Sequence, residues 1–198
     1  MPFRVALTFD AEHPDRPHRS GGTELVLDQL DADGVTATFF IQGRWAEAYP
    51  ELARSVAERG HLVGNHSFYH ARMPLLSPPG LVRDVRAAER AIVSATGVDP
   101  RPWFRCPFGA GTHDPAILAG LARLGYREIR WDVGGDDWHA SRSGQGLARD
   151  LVAGAVERGD GAVVLLHPWT RATGLGLGRL IGGLRDAGAS FVRVDALG

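Results

Sequence analysis

The sequence predicts an α/β fold on a mainly parallel sheet, and three observations carry that expectation. Short apolar runs alternate with helix-period segments along the chain, the pattern of successive βα units. Gly34, Gly60, Gly97, Gly125, Gly159 and Gly188 each fall just past a helical segment, where a left-handed residue ends a helix. No internal repeat or low-complexity linker breaks the series, so residues 1–198 are read as a single domain.

In chain order, 4–9 (RVALTF) reads as a strand entering a core, followed by a helix over 22–32 that stops before Gly34. A strand at 36–41 (TATFFI) precedes a helix over 50–59, opened by Pro50 and stopped by Gly60. A short strand at 61–64 leads to a long amphipathic helix over 79–96, closed by Gly97. Strand 103–105 and helix 115–124 follow, then strand 128–133 and helix 146–158. The all-apolar 162–166 (AVVLL) is a strand buried on both faces, and helix 175–187 with strand 190–194 completes the chain. Seven strands and six helices allow either an open or a closed parallel sheet.

Composition excludes several function classes. A net charge of −1 and a pI near 6.7 give no broad attraction to nucleic acid or anionic membrane. All 22 basic residues are arginine, which rules out Schiff-base and lysine-nucleophile chemistry. Cys106 is the only cysteine, read as a buried, inert thiol, and it leaves no intramolecular disulfide to form. The N-terminal apolar run is too short for a signal-peptide core, and no stretch approaches the roughly 18 apolar residues of a membrane span, so a cytoplasmic location is expected. Activity must come from a local site.

Five polar residues mark where that site lies: Asp10, His66, Arg105, Asp137 and His167 each stand at or just after a strand end, where parallel sheets place their chemistry. Asp10 and Glu12 are separated by Ala11, so on an extended chain both acids face one side and Ala11 the other. His66 and His70 are four apart and converge on one ion if the segment turns helically after its strand. Two imidazoles and one carboxylate make a catalytic divalent site with open positions, and a second carboxylate nearby can serve as base. That donor set accommodates zinc, iron, cobalt or nickel.

Arg105, ahead of Pro107, is suited to grip a carboxylate through two parallel hydrogen bonds. Trp138, after the Gly134-Gly135 turn, offers an apolar wall for a sugar ring or acyl group. His167 ends the apolar strand, either as a satisfied core histidine or, paired with Asp137, as a general acid. His13, Arg16, His18 and Arg19 read as a mobile, solvated loop, and His113 and His139 have no direction fixed by the sequence.

Taken together, Thr8-Phe9-Asp10, His66-Ser67 with His70, Arg105 with Pro107-Phe108-Gly109, Asp137-Trp138, and Leu165 with His167 resemble the five ordered motifs of the polysaccharide deacetylases, the carbohydrate esterase family 4 enzymes with a NodB-homology domain. The resemblance runs from Thr8 to His167. It implies a distorted (β/α)₇ barrel and a metal-dependent hydrolase of amide C–N bonds. It makes Asp10 the base, His66 and His70 metal ligands, and Arg105 the group that orients the base. Asp137 tunes the acid His167, while Phe108, Trp138 and Leu165 line the substrate pocket.

Two departures qualify it. The family's first motif has a second aspartate that binds the metal, and here that position is Ala11; Glu12, on the same face as Asp10, is expected to replace it. The aspartate often found three residues before Asp137 is Gly134. The expected cofactor is a divalent transition metal, zinc first, with Co²⁺, Fe²⁺ or Ni²⁺ also accommodated. The expected reaction is removal of an N-acetyl group from an amino sugar or oligosaccharide. Hydrolysis of a small cyclic imide, ureide or acetylated metabolite is the alternative within enzymes, and a non-catalytic carbohydrate-binding relative the alternative outside them. No nucleic-acid or membrane partner is expected.

Overall fold

A computed structural model describes residues 2–15 and 22–197. Arg16, His18 and Arg19, read from the sequence as a solvated loop, lie outside the described residues.

The strands are β1 (Phe3–Ala11), β2 (Thr38–Ile41), β3 (Leu62–Asn65), β4 (Trp103–Phe104), β5 (Arg127–Glu128), β6 (Val133–Gly134), β7 (Ala162–Leu166) and β8 (Ala189–Phe191). All their pairings are parallel, in the order β5-β4-β3-β2-β1-β7-β6, with β8 added against the start of β1. The helices are α1 (Gly22–Ala32), α2 (Gly43–Ala48), α3 (Pro50–Glu58), α4 (Pro78–Thr96), α5 (Pro115–Arg123), α6 (Gly144–Arg158) and α7 (Arg171–Asp186).

The strand expected over 128–133 is in fact two. β5 pairs with β4 at one end of the sheet and β6 pairs with β7 at the other. A flat path of seven strands spans roughly 29 Å at about 4.8 Å per pairing. The short link from Glu128 to Val133 reaches only about 17 Å when extended. The sheet therefore curls until its two ends meet across this segment, giving the distorted, incompletely closed barrel of NodB-type domains.

Residues on β1 sort by parity. Val5, Leu7, Phe9 and Ala11 pack into the large core between sheet and helices. Ala6 instead joins Phe40, Ile129, Val163 and Val194 in a separate cluster on the concave face. Thr8 and Asp10 share that parity, so the same alternation that builds the core delivers Asp10 to the barrel interior. Ala11, as expected, points away.

Helix ends follow local chemistry. Ser77, Asp114, Ser143 and Thr170 cap α4, α5, α6 and α7 through side-chain oxygens that accept backbone N–H bonds. All six glycines read as helix stops adopt positive φ. α2, absent from the sequence reading, is only six residues long. α7 begins at Arg171 rather than at 175, and its backbone touches α6: a Cβ on Gly176 would stand 2.6 Å from the Gly144 carbonyl oxygen. That contact fixes where the α7 N-terminus, and hence Thr170 and Thr173, sits against the barrel.

Candidate active site

The barrel mouth holds a cavity of about 400 Å³ lined by Asp10, Glu12, His66, His70, Phe108, Trp138, Leu165 and His167, together with His13, Trp131 and Trp169. Eight of the ten residues picked out from the sequence line it. The other two, Arg105 and Asp137, are buried behind it, each bonded to a lining residue.

Asp10 and Glu12 are both buried at the end of β1. Arg105, fully enclosed, donates from Nη1 to Asp10 Oδ1 at 2.9 Å and to Thr8 Oγ1 at 2.8 Å, and from Nε to the Ile129 carbonyl at 3.0 Å. The two-bond grip expected from the sequence is thus corrected: one N–H reaches Asp10, because Nη1 is shared with Thr8 and Nε turns to the β5–β6 link, while Nη2 is buried with no hydrogen-bond partner. Its plane also stacks over Phe40, with Cζ 4.1 Å from the ring centroid.

His66 and His70 converge, but not through a helical turn. After β3 the chain runs through Ser67 and His70 in left-handed conformations, with φ of 62° and 57°. Side chains close this loop. Asn65 Oδ1 accepts from the Ser67 N–H at 2.9 Å, Ser67 Oγ accepts from the His70 N–H at 3.0 Å, and the Asp84 carboxylate on α4 accepts from the N–H groups of Phe68 and Tyr69. Sequence reasoning missed Asp84, whose only signal was an acid at a core-facing helical position.

The donor atoms of Glu12, His66 and His70 all lie within 4.8 Å of one another. His66 donates Nδ1–H to the Arg105 carbonyl at 2.9 Å, since a carbonyl can only accept, which turns Nε2 toward the acids. That Nε2 is buried without a hydrogen-bond partner, 3.3 Å from Glu12 Oε2 and 3.6 Å from Asp10 Oδ2. Glu12 Oε2 also contacts His70 Nε2. Two imidazoles, one carboxylate and a buried ring nitrogen with no hydrogen-bond partner suit a divalent transition ion. Burial opposes the charge on Glu12, yet the imidazoles of His13, His66 and His70 around it hold its carboxyl well below the usual range.

His167 closes the opposite side. Its Nδ1 lies 2.7 Å from Asp137 Oδ1 and its own N–H donates to Asp137 Oδ2 at 2.7 Å. Thr170, which caps α7, and Thr173, in its first turn, add hydroxyl bonds to that oxygen at 3.1 and 2.6 Å. Burial pulls the His167 pKa down, but the Asp137 charge and hydrogen bond outweigh it and push the pKa up to about 9. His167 is therefore an imidazolium at neutral pH, not an inert core histidine.

His13, read as part of a solvated loop, is instead packed into the site: its Nε2 lies 2.8 Å from Glu12 Oε1, and its ring sits edge-on to Trp169. His113 and His139 stay outside the cavity, bonded to Arg130 and Ser141. Trp131 and Trp169 went unassigned in the sequence, although Trp169 stands two residues after His167. Phe108 adopts φ of 57° and lays its ring 4.4 Å from that of His70. Cys106 is buried and its thiol is pushed up by burial, in keeping with an inert role. No helix among the described residues is long and apolar enough to cross a membrane.

Comparison with known proteins places this geometry in a family. The sequence model described as polysaccharide deacetylase matches residues 2–129. The chain is 35% identical over 182 residues to a chitooligosaccharide deacetylase of Rhizobium leguminosarum bv. trifolii, covering 92% of this chain and 79% of that one. It is 34% identical over 194 residues to the peptidoglycan-N-acetylglucosamine deacetylase PgdA of Listeria monocytogenes, covering 98% of this chain but 38% of that protein. Among solved structures, a CE4 family pseudoenzyme from Bacillus anthracis superposes with a TM-score of 0.88 at 26% identity, over 99% of this chain and 65% of that one. The family match spans the strands that carry the acid, histidine and arginine motifs, and the chain belongs to the polysaccharide deacetylase family.

Proposed function

We propose that this chain, acting as one catalytic domain, is a metal-dependent de-N-acetylase of an N-acetylated amino sugar within an oligosaccharide. The observation that carries the proposal is the setting of Glu12. Its carboxylate stands among His13, His66, His70 and His167, with the separately held carboxylate of Asp10 beside the same cluster. Glu12, His66 and His70 are the residues that would hold the ion, zinc first by donor type. When bound, a divalent ion supplies Lewis-acid activation of water and of the amide carbonyl.

The chain's own residues do the rest. Asp10, oriented by Arg105, accepts the proton of the attacking water. His167, held as an imidazolium by Asp137, donates its Nε2 proton to the departing amine nitrogen. Breaking the C–N bond releases acetate and the free amino sugar. The rings of Trp131, Trp138, Trp169 and Phe108 give apolar faces on which a pyranose ring rests and from which water is displaced. Relatives described as acting on chitooligosaccharide and peptidoglycan support a glycan substrate.

The test is acetate release from N-acetylated chitooligosaccharides and peptidoglycan fragments, alongside ring opening of small cyclic amides, using chelated protein before and after Zn²⁺ is restored. Zinc-dependent acetate release from a glycan is expected. Turnover of small amides alone would move the substrate class. Glycan binding without turnover would favour a non-catalytic role, a reading that draws on Ala11 and on the pseudoenzyme neighbour.

A further inference from the structure

We propose that His13 is a positioning residue for the metal site: its Nε2–H donates to Glu12 Oε1 and thereby turns Glu12 Oε2 toward His66 and His70. The inference rests on the reading of Glu12, His66 and His70 as the ligand set.

The need for such a group follows from side-chain length. A glutamate carries one more rotatable bond than an aspartate, so its carboxylate has more orientations to lose when it must present one oxygen to two imidazoles. Something must hold the other oxygen. The two carboxylate oxygens of Glu12 do divide in this way. Oε2 faces His66 Nε2 at 3.3 Å and contacts His70 Nε2. Oε1 faces His13 Nε2 at 2.8 Å, and the next imidazole, His167, stands 3.7 Å from it, beyond hydrogen-bond reach.

His13 is itself held on every side. Its N–H donates to Gln42 Oε1 at 3.0 Å, and the Gln42 N–H continues the β1–β2 ladder to the Ala11 carbonyl at 2.9 Å. The backbone turns at His13 with φ of 60°, which aims the side chain back over the end of β1. The ring packs edge-on between His70, at 4.9 Å, and Trp169, at 5.6 Å. The Tyr49 hydroxyl donates to the Pro14 carbonyl at 3.3 Å and Arg44 pairs with Asp15 at 2.9 Å, so the chain beyond is tied to α2 and its C-terminal end. A group that orients a ligand through a hydrogen bond typically contributes a factor of about 10–100 in metal affinity.

The experiment is Co²⁺ binding to the metal-free full chain, measured by competition with a chromogenic chelator and by the visible absorption of the bound ion. His13→Phe keeps the ring packing and loses the donor; His13→Gln keeps a donor at the same reach. Expected are a 10–100-fold weaker Co²⁺ affinity and an altered absorption envelope for His13→Phe, with His13→Gln within about threefold of wild type. If His13→Phe binds within twofold of wild type while Glu12→Ala loses the ion, the ligand set stands and this inference falls. It falls equally if His13→Gln binds as weakly as His13→Phe. If wild type takes up no Co²⁺, or Glu12→Ala binds unchanged, the ligand set and the inference fall together.

Discussion

His167 Nδ1 and Asp137 Oδ1 lie 2.7 Å apart, both buried, and Asp137 takes three further hydrogen bonds on its other oxygen. A carboxylate satisfied in this way stays ionised, and burial without those bonds would have raised its pKa rather than lowered it.

The charge on His167 is therefore a consequence of Asp137 and must respond to it. With a folded pKa near 9 against an unfolded value of about 6.5, the paired imidazolium stabilises the fold fully below pH 6.5, and that contribution is lost as pH rises through 9. Asp137→Asn should move the alkaline limb of the kcat profile down by at least about one pH unit and reduce kcat by about 10²–10⁴-fold. Rates from pH 6 to 10 check it; an unmoved limb would show that His167 is not the acid.

Arg105 supports the base at a structural cost if removed. Arg105→Met leaves Asp10 buried beside His66 with no guanidinium partner, and should destabilise the fold by about 3–5 kcal/mol in urea unfolding at pH 7. Arg105→Lys should fall between, because an ammonium restores the charge but cannot serve Asp10, Thr8 and the Ile129 carbonyl together. Equal stability for Met and wild type would mean that the pair contributes nothing.

His61 marks a second titration, remote from the cavity. Burial pulls its pKa down to about 4, and its Nδ1 accepts the Ala37 N–H at 3.2 Å, a bond that protonation breaks. A histidine with a depressed folded pKa contributes stability that is present above pH 6.5 and lost as pH falls through 4. Wild type should lose about 1–2 kcal/mol more than His61→Asn between pH 7 and pH 5, since the asparagine oxygen accepts the same bond without titrating. Parallel losses in urea melts at the two pH values would refute this.

The parts of the site legible in the sequence were those at strand ends. Asp10, His66, Arg105, Asp137 and His167 each stand at or shortly after a strand end, and a parallel sheet sends all such ends to one side. His13 was not legible, because a histidine before a proline reads as loop until Gln42 and Trp169 are placed around it. Nor was the double nature of 128–133, whose two halves look like one strand until the sheet curls and each half finds a different partner.

Local chemistry alone thus determined the alternation on β1, the glycine and capping punctuation of the helices, and the sorting of Asp10 and Glu12 from Ala11, since each depends only on residues close in sequence. Tertiary structure decided which oxygen of Glu12 meets which imidazole, how many hydrogen bonds Arg105 gives to Asp10, and that His167 carries a proton. Those outcomes depend on groups tens to more than a hundred residues apart in the chain, brought together only when the two ends of the sheet meet.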